Sequence, residues 1–332
     1  MRKMPKIAIL AIEDSYASSL TGFIDLLQIS NSYAYKQLGD LVDPFEFKIL
    51  SIDGASVKAR GGLPISVHDK INDNLTFDLV FIPGIYYSGR QFIKNLEYLK
   101  SELTDWLLSQ HTKGAIIAAN CTGTFLLAET GLLNKKRATT TWWLEKKFKT
   151  RYPNTFLEIK QLITEDDNLI CAGAITSHQH LAIRVIERFY TSSIASMCAK
   201  ALLVDVGQTA QAPYLSLSST TIHNNKLVSK AQYILQKSIK KPITMEALSD
   251  ELAVSQRTLF RHFKDAIQMS PLYYLQNLRV EAAKQFLETT NLSVENIVRE
   301  VGYDDTSSFS RLFQQRTGLT PTGYREKFSQ TL

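Results

Sequence analysis

The chain has 332 residues, 44% of them hydrophobic and 21% charged, enough to bury the cores of two domains rather than one. No apolar run approaches the roughly 18 residues a membrane helix needs, and the basic start at residues 2–6 leads only into the short stretch 7–12, so a soluble, cytoplasmic protein with no membrane partner is expected. Cys121, Cys171 and Cys198 are too few and too scattered for a disulfide framework or a CxxC metal site, neither a metal nor another cofactor is implied, and the net charge of +6 permits a polyanionic partner without requiring one.

Along the first half, short β-branched runs alternate with helix-like segments, the pattern of strands and crossover helices around a parallel sheet. Residues 6–12, 45–52, 78–82 and 115–119 read as strands, and 19–32, 91–110 and 124–129 as helices. A longer amphipathic run, 180–203, reads as one helix that closes the domain. Between the fourth strand and its helix, small residues flank Cys121 in the order Ala119, Asn120, Cys121, Thr122, Gly123. Such a turn presents a side chain at a helix N-terminus and is expected to lower a thiol's pKa there, which makes Cys121 a candidate nucleophile. His178 and His180 begin the next element and are candidates to approach it, although paired histidines at a helix start more often cap and solvate.

Residues 206–225 then carry no Asp, Glu, Lys or Arg, and Ser216 to Thr221 are poor helix formers, so a linker is expected. Beyond it the pattern is wholly helical, and it repeats. Residues 244–255 recur as 293–304: a hydroxyl N-cap, Thr244 or Ser293, precedes an acid, Glu246 or Glu295, and apolar residues follow at helical spacing. Met245, Leu248 and Leu252 form the apolar line in one copy, and Val294, Ile297 and Val301 in the other. After a tight turn at Ala253 or Gly302, a second helix points Leu259 and Phe263, or Phe309 and Phe313, inward; short helix, tight turn and second helix make a helix-turn-helix, whose second helix enters the DNA major groove.

On the first of these second helices Gln256, Arg257, Arg261 and Lys264 face outward with Thr258 beside them, and no acid falls between residues 256 and 264. Arg and Gln suit bidentate pairing to guanine and adenine edges. The other copy offers Thr306, Ser307, Ser308 and only then Arg311, which predicts phosphate and hydroxyl contacts with base readout confined to Arg311. An amphipathic helix over 271–288 joins the copies, with Arg279 and Lys284 expected to be available on its other side. From Val228 onward there are 14 Lys and Arg against 11 Asp and Glu, so any electrostatic footprint must be local.

These C-terminal residues, with the closing Gly318, Leu319, Thr320, Pro321 and Tyr324, resemble the AraC/XylS family of bacterial regulators. That resemblance implies two recognition helices in successive major grooves about 34 Å apart, bound to double-stranded promoter DNA. Residues 77–84, 114–128 and 137–142 resemble the PfpI-like, class I glutamine amidotransferase-like domain, which implies a flavodoxin-like α/β sandwich. The order of the two is that of the GlxA-like regulators.

Related hydrolases carry His directly after the cysteine, a His before the Trp of the 137–142 motif and a second Gly after Pro83 and Gly84; here Thr122, Thr141 and Ile85 stand in those places. Ser19 is a candidate for the position of the expected acid, with Glu13 and Asp14 nearby. The reading is therefore a flavodoxin-like sensor at 1–207, a linker at 208–226 and an all-α double helix-turn-helix domain at 227–329. A small-molecule effector of unknown identity is expected in a non-catalytic pocket formed by Gly84, Ile85, Asn120, Cys121, Thr122, Thr141, Trp142 and His178, with homodimerisation through the sensor. The alternative is a cysteine-dependent amidase or protease with an appended DNA-binding domain.

Overall fold

The β-branched runs of the first half become the strands of a sheet covered on both sides. The computed structural model describes residues 5–39, 43–215 and 223–329, which fall into two units, Met1–Gln211 and Ala212–Leu332. In the first, the chain runs β1 (Lys6–Leu10), α1 (Ala17–Leu38), β2 (Glu46–Ser51), the short strands β3 (Val57–Lys58), β4 (Pro64–Ile65) and β5 (Asp69–Lys70), then β6 (Leu79–Ile82), α2 (Arg90–Thr112), β7 (Ile116–Asn120) and α3 (Gly123–Glu129). It continues through β8 (Arg137–Ala138), α4 (Glu145–Arg151), β9 (Phe156–Leu157), β10 (Ile163–Asp166), β11 (Leu169–Ala172), α5 (His178–Phe189) and α6 (Ser192–Ala201).

Seven strands form one sheet in the order β10-β11-β7-β6-β1-β2-β5, parallel throughout except for the edge strand β10. Its five principal parallel strands follow the flavodoxin-like order, with the switch point between β1 and β6. In β1, Ile7 and Ile9 pack into the cluster under α1, α5 and α6, while Ala8 and Leu10 join the cluster under α2, α3 and α4. Both faces are buried, which is why these strands read as continuous apolar runs and not as alternating ones.

Two expectations are corrected here. The run 180–203 is two helices: Tyr190 leaves helical geometry at φ −107° and ψ −115°, and the Thr191 hydroxyl accepts from the Ile194 N–H to start α6. Strands β10 and β11, four residues each, were not anticipated; strands that short carry little periodicity.

The second unit is helical throughout its described residues: α7 (Lys226–Lys237), α8 (Met245–Glu251), α9 (Gln256–Ile267), α10 (Pro271–Thr289), α11 (Val294–Glu300), α12 (Thr306–Thr317) and α13 (Pro321–Phe328). It holds two cores. Val228, Ala231, Leu235, Leu248, Leu259, Phe263 and Tyr274 make one, and Val280, Ala283, Leu287, Ile297, Phe309, Phe313 and Tyr324 make the other. The repeat is thus longer than the paired helix-turn-helix segments. Val228, Ala231 and Leu235 of α7 match Val280, Ala283 and Leu287 of α10, while Tyr274 at the start of α10 matches Tyr324 of α13, so α10 closes the first core and opens the second.

Within the segment expected as a linker, Ala210 bridges to Gln161, Ala212–Tyr214 form a turn of 3-10 helix, and the Asn225 side chain caps α7. Ser216 to Thr221 lie outside the described residues.

Candidate functional site

Each helix-turn-helix is built by the same local bonds. The Val254 N–H donates to the Ser249 carbonyl at 3.1 Å, and the Tyr303 N–H to the Val298 carbonyl at 3.0 Å, closing equivalent turns. Both turns need a left-handed residue, Ala253 at φ 52° and Gly302 at φ 77°. Only the second is obliged to be glycine: a Cβ there would stand 2.4 Å from the Ile239 carbonyl oxygen, which backbone packing cannot relieve. The second turn is one residue longer, so Ser255 caps α9 by accepting from the Thr258 N–H at 3.2 Å, and Asp305 caps α12 by accepting from the Ser307 and Ser308 N–H groups.

Leu259, Phe263 and Ile267 bury one side of α9, which leaves Gln256, Arg257, Arg261 and Lys264 exposed and Thr258 half-buried. Among the described residues, no carboxylate lies in ion-pair range of Arg257, Arg261 or Lys264. Unpaired cations on one helix face are the arrangement that can displace counterions from a polyphosphate.

On α12, Ser307, Ser308 and Arg311 are exposed and Thr306 is half-buried. Hydrogen bonds from Ser308, then from the Ser307 backbone, hold the Asp305 carboxyl below the usual carboxylate range, so the cap is anionic at neutral pH. The next cation, Arg316, folds back: its guanidinium lies 3.8 Å over the Tyr273 ring and donates to Gln276. The two faces therefore differ in kind, one cationic and the other hydroxylic with a single outward arginine.

Arg279 and Lys284, expected to be available on α10, are not. Arg279 donates to the Ile239 and Lys241 carbonyls and lies over the Tyr303 ring, tying the first copy's loop to the second copy's turn. Lys284 is 7% exposed and donates to the Leu215 carbonyl and to Glu281. It lines a cavity of about 340 Å³ with Glu281, Glu288 and Tyr324.

The elbow in the first unit is as sharp as expected, with Cys121 at φ 55° and its N–H donating to the Ala172 carbonyl. Gly84 approaches so closely that a Cβ on it would stand 3.2 Å from that of Cys121. The expected lowering of the thiol pKa is overturned. Cys121 is fully buried, and desolvation raises it to about 11, outweighing hydrogen bonds from Thr122 and Thr141 that favour the thiolate.

The Ile85 N–H, where an oxyanion donor is required, is occupied by the Thr122 hydroxyl at 2.8 Å, and that hydroxyl donates back to the Ile85 carbonyl. Ser19, buried beside the elbow, accepts from the Gly84 N–H and from Asn120, whereas Glu13 accepts from the Lys58 N–H and Asp14 pairs with Arg60. His178 is buried and its pKa falls through desolvation; Nδ1 meets the Ile175 carbonyl at 2.8 Å, and Nε2 faces Gly22, where a Cβ would be 2.4 Å away. His180 Nε2 meets the Asp205 carbonyl.

Geometry thus brings Gly84, Ile85, Asn120, Cys121, Thr122 and Thr141 together, engages His178 Nδ1 with the Ile175 carbonyl and sets its Nε2 against Gly22, and leaves Trp142 half-buried edge-on to Trp143. Asn120 donates to Ser19 and Ile175, but its Oδ1 is buried with no partner among the described residues. Sequence reasoning missed Tyr16 and Arg60. Tyr16 lies edge-on to Tyr86, which carries the Arg60 guanidinium at 3.8 Å. Nothing in the spacing marks either residue, because they reach the site from different loops.

Residues 20–188 match the DJ-1/PfpI family, and residues 248–327 match a family described as a helix-turn-helix domain. The chain is 25% identical over 311 residues to the HTH-type transcriptional regulator CdhR of Pseudomonas aeruginosa, covering 92% of this chain and 87% of that protein. It is 22% identical over 329 residues to the HTH-type transcriptional regulator GbdR of the same species, covering 98% and 85%. Among solved structures, Drosophila melanogaster DJ-1beta superposes with a TM-score of 0.50 at 19% identity, over 61% of this chain and 100% of that one, a likeness of fold.

Proposed function

On the premise that the chain belongs to the DJ-1/PfpI family and is an AraC-type helix-turn-helix transcription regulator, we propose that one polypeptide both senses a small molecule and reads promoter DNA. Gln256, Arg257, Thr258, Arg261 and Lys264 meet base edges and adjacent phosphates through α9, while Thr306, Ser307 and Ser308 fix α12 on the backbone and base readout from α12 is confined to Arg311. The observation that carries this reading is the cationic face of α9, exposed over two turns, without an ion-pair partner among the described residues, and held by a fully buried opposite face. Fluorescence anisotropy of the full chain on duplexes from its own genome tests it. Log affinity is expected to fall linearly with log salt, by about 0.9 per phosphate contact, and to differ between sequences; a flat salt response counts against it.

The effector binds at the C-terminal ends of β1 and β6, where the strand order reverses, against Gly84, Ile85, Asn120, Cys121, Thr122, Thr141 and Trp142, with His178 as a wall. What supports a binding elbow over a reacting one is the neutral, desolvated Cys121 thiol and the engaged Ile85 N–H. The buried Asn120 Oδ1, without a partner among the described residues, is the acceptor assigned to an effector donor. The effector acts by binding one state of a cytoplasmic homodimer, joined through the sensor, better than the other. A melting shift with one compound of a metabolite panel, reduced in Asn120→Ala, is the expected result; amide turnover abolished by Cys121→Ala would replace this reading with a hydrolase.

A further inference from the structure

The outward face of α9 carries one residue that charge does not explain. Phe260 is 37% exposed, with Gln256 and Lys264 one turn to either side and Arg257 and Arg261 beside it. Other exposed rings in this unit have a cation beside them: the Arg316 guanidinium lies 3.8 Å over the Tyr273 ring, and the Lys237 ammonium stands 5.8 Å from that of Tyr233. Among the described residues neither a ring nor a cation lies over Phe260. The matching residue of the second copy, fifty positions on, is the half-buried Ser310.

A phenyl ring set among cations on a groove-entering face needs an apolar partner there, or it is desolvated by polar edges at a loss. The major-groove edges of the four bases offer donors, acceptors and one apolar group, the C5-methyl of thymine. We propose that Phe260 is a specificity residue that packs on a thymine methyl, so that the half of the site under α9 requires thymine at one step and the half under α12 does not. The inference rests on the DNA-reading role of α9 proposed above.

The test uses the full chain and the duplex it enriches from a random-sequence library, with each thymine replaced in turn by deoxyuridine, which deletes only the methyl. Affinity is expected to fall about fourfold at one or two adjacent thymines, the value of one buried methyl-sized group. Phe260→Ala and Phe260→Ser should bind thymine and deoxyuridine duplexes alike, while Phe260→Leu keeps part of the preference. All three variants alter an exposed position, and a melting curve matching the parent protein verifies folding. A parent protein indifferent to every deoxyuridine, or a preference that survives intact in Phe260→Ala, overturns the inference and leaves the DNA-reading role standing. Enrichment of no duplex at all overturns that role and this inference together.

Discussion

The two helix-turn-helix copies keep the same inside and differ on the outside. Phe263 packs on Tyr274 with ring centroids 6.0 Å apart, and Phe313 on Tyr324 at 5.4 Å, both edge-on; the turn bonds and the left-handed helix ends, Gln268 and Gly318, also correspond. Outward, the first copy carries Arg257, Phe260 and Lys264 where the second has Ser307, the half-buried Ser310 and Gln314. Core residues answer to packing, which is the same in both copies, whereas surface residues answer to what they touch. The contrast points to a division of labour in which α9 discriminates and α12 anchors.

The strongest test of the shared interior is truncation. Phe263→Ala and Phe313→Ala, each removing a fully buried ring, should lose about 3–5 kcal/mol of stability by denaturant melt. A large loss for one and a trivial loss for the other would show that the copies are not packed alike.

The turn separates them next. Gly302→Ala meets both a left-handed backbone and the Ile239 carbonyl and should cost about 2–4 kcal/mol, while Ala253→Gly should be neutral or stabilising by up to about 1 kcal/mol. Equal effects would contradict the asymmetry.

On the outer faces, Arg257→Ala and Arg261→Ala should each weaken DNA binding by about 1–3 kcal/mol and relax preference at one or two base pairs, measured across a library of single-base variants. Ser307→Ala and Ser308→Ala should weaken all sequences evenly and by less. The smallest contrast lies in the caps. Ser255→Ala should cost about 1 kcal/mol with no pH dependence. The Asp305 carboxyl is depressed in the folded chain, so its contribution is present above the unfolded carboxylate pKa near 4 and is lost as pH falls through the lower folded value. An acid titration of wild type against Asp305→Asn reads that difference.

Much of this was legible in the chain. Apolar spacing, hydroxyl caps and the 49- to 50-residue offset disclose α8, α9, α11 and α12, because each is set by neighbours within a few turns. The continuation of the repeat into Tyr274 and Tyr324 was there to be read as well. Quantities fixed by tertiary packing were not legible. The Cys121 thiol lies at a helix start that would ordinarily acidify it, yet complete burial decides its pKa. Arg279 and Lys284 read as surface cations until the loops that consume them are placed. The 180–203 run keeps helical periodicity across a break that only the backbone at Tyr190 records.

The most direct measurement is footprinting of the full chain on its enriched duplex, followed by binding to every single-base variant of that duplex. Two protected segments on one face of the DNA, about one helical turn apart, with sequence preference concentrated under one of them and relaxed there at one or two base pairs by Arg257→Ala, are predicted. One protected segment, or preference shared evenly between two, would contradict a reader joined to an anchor.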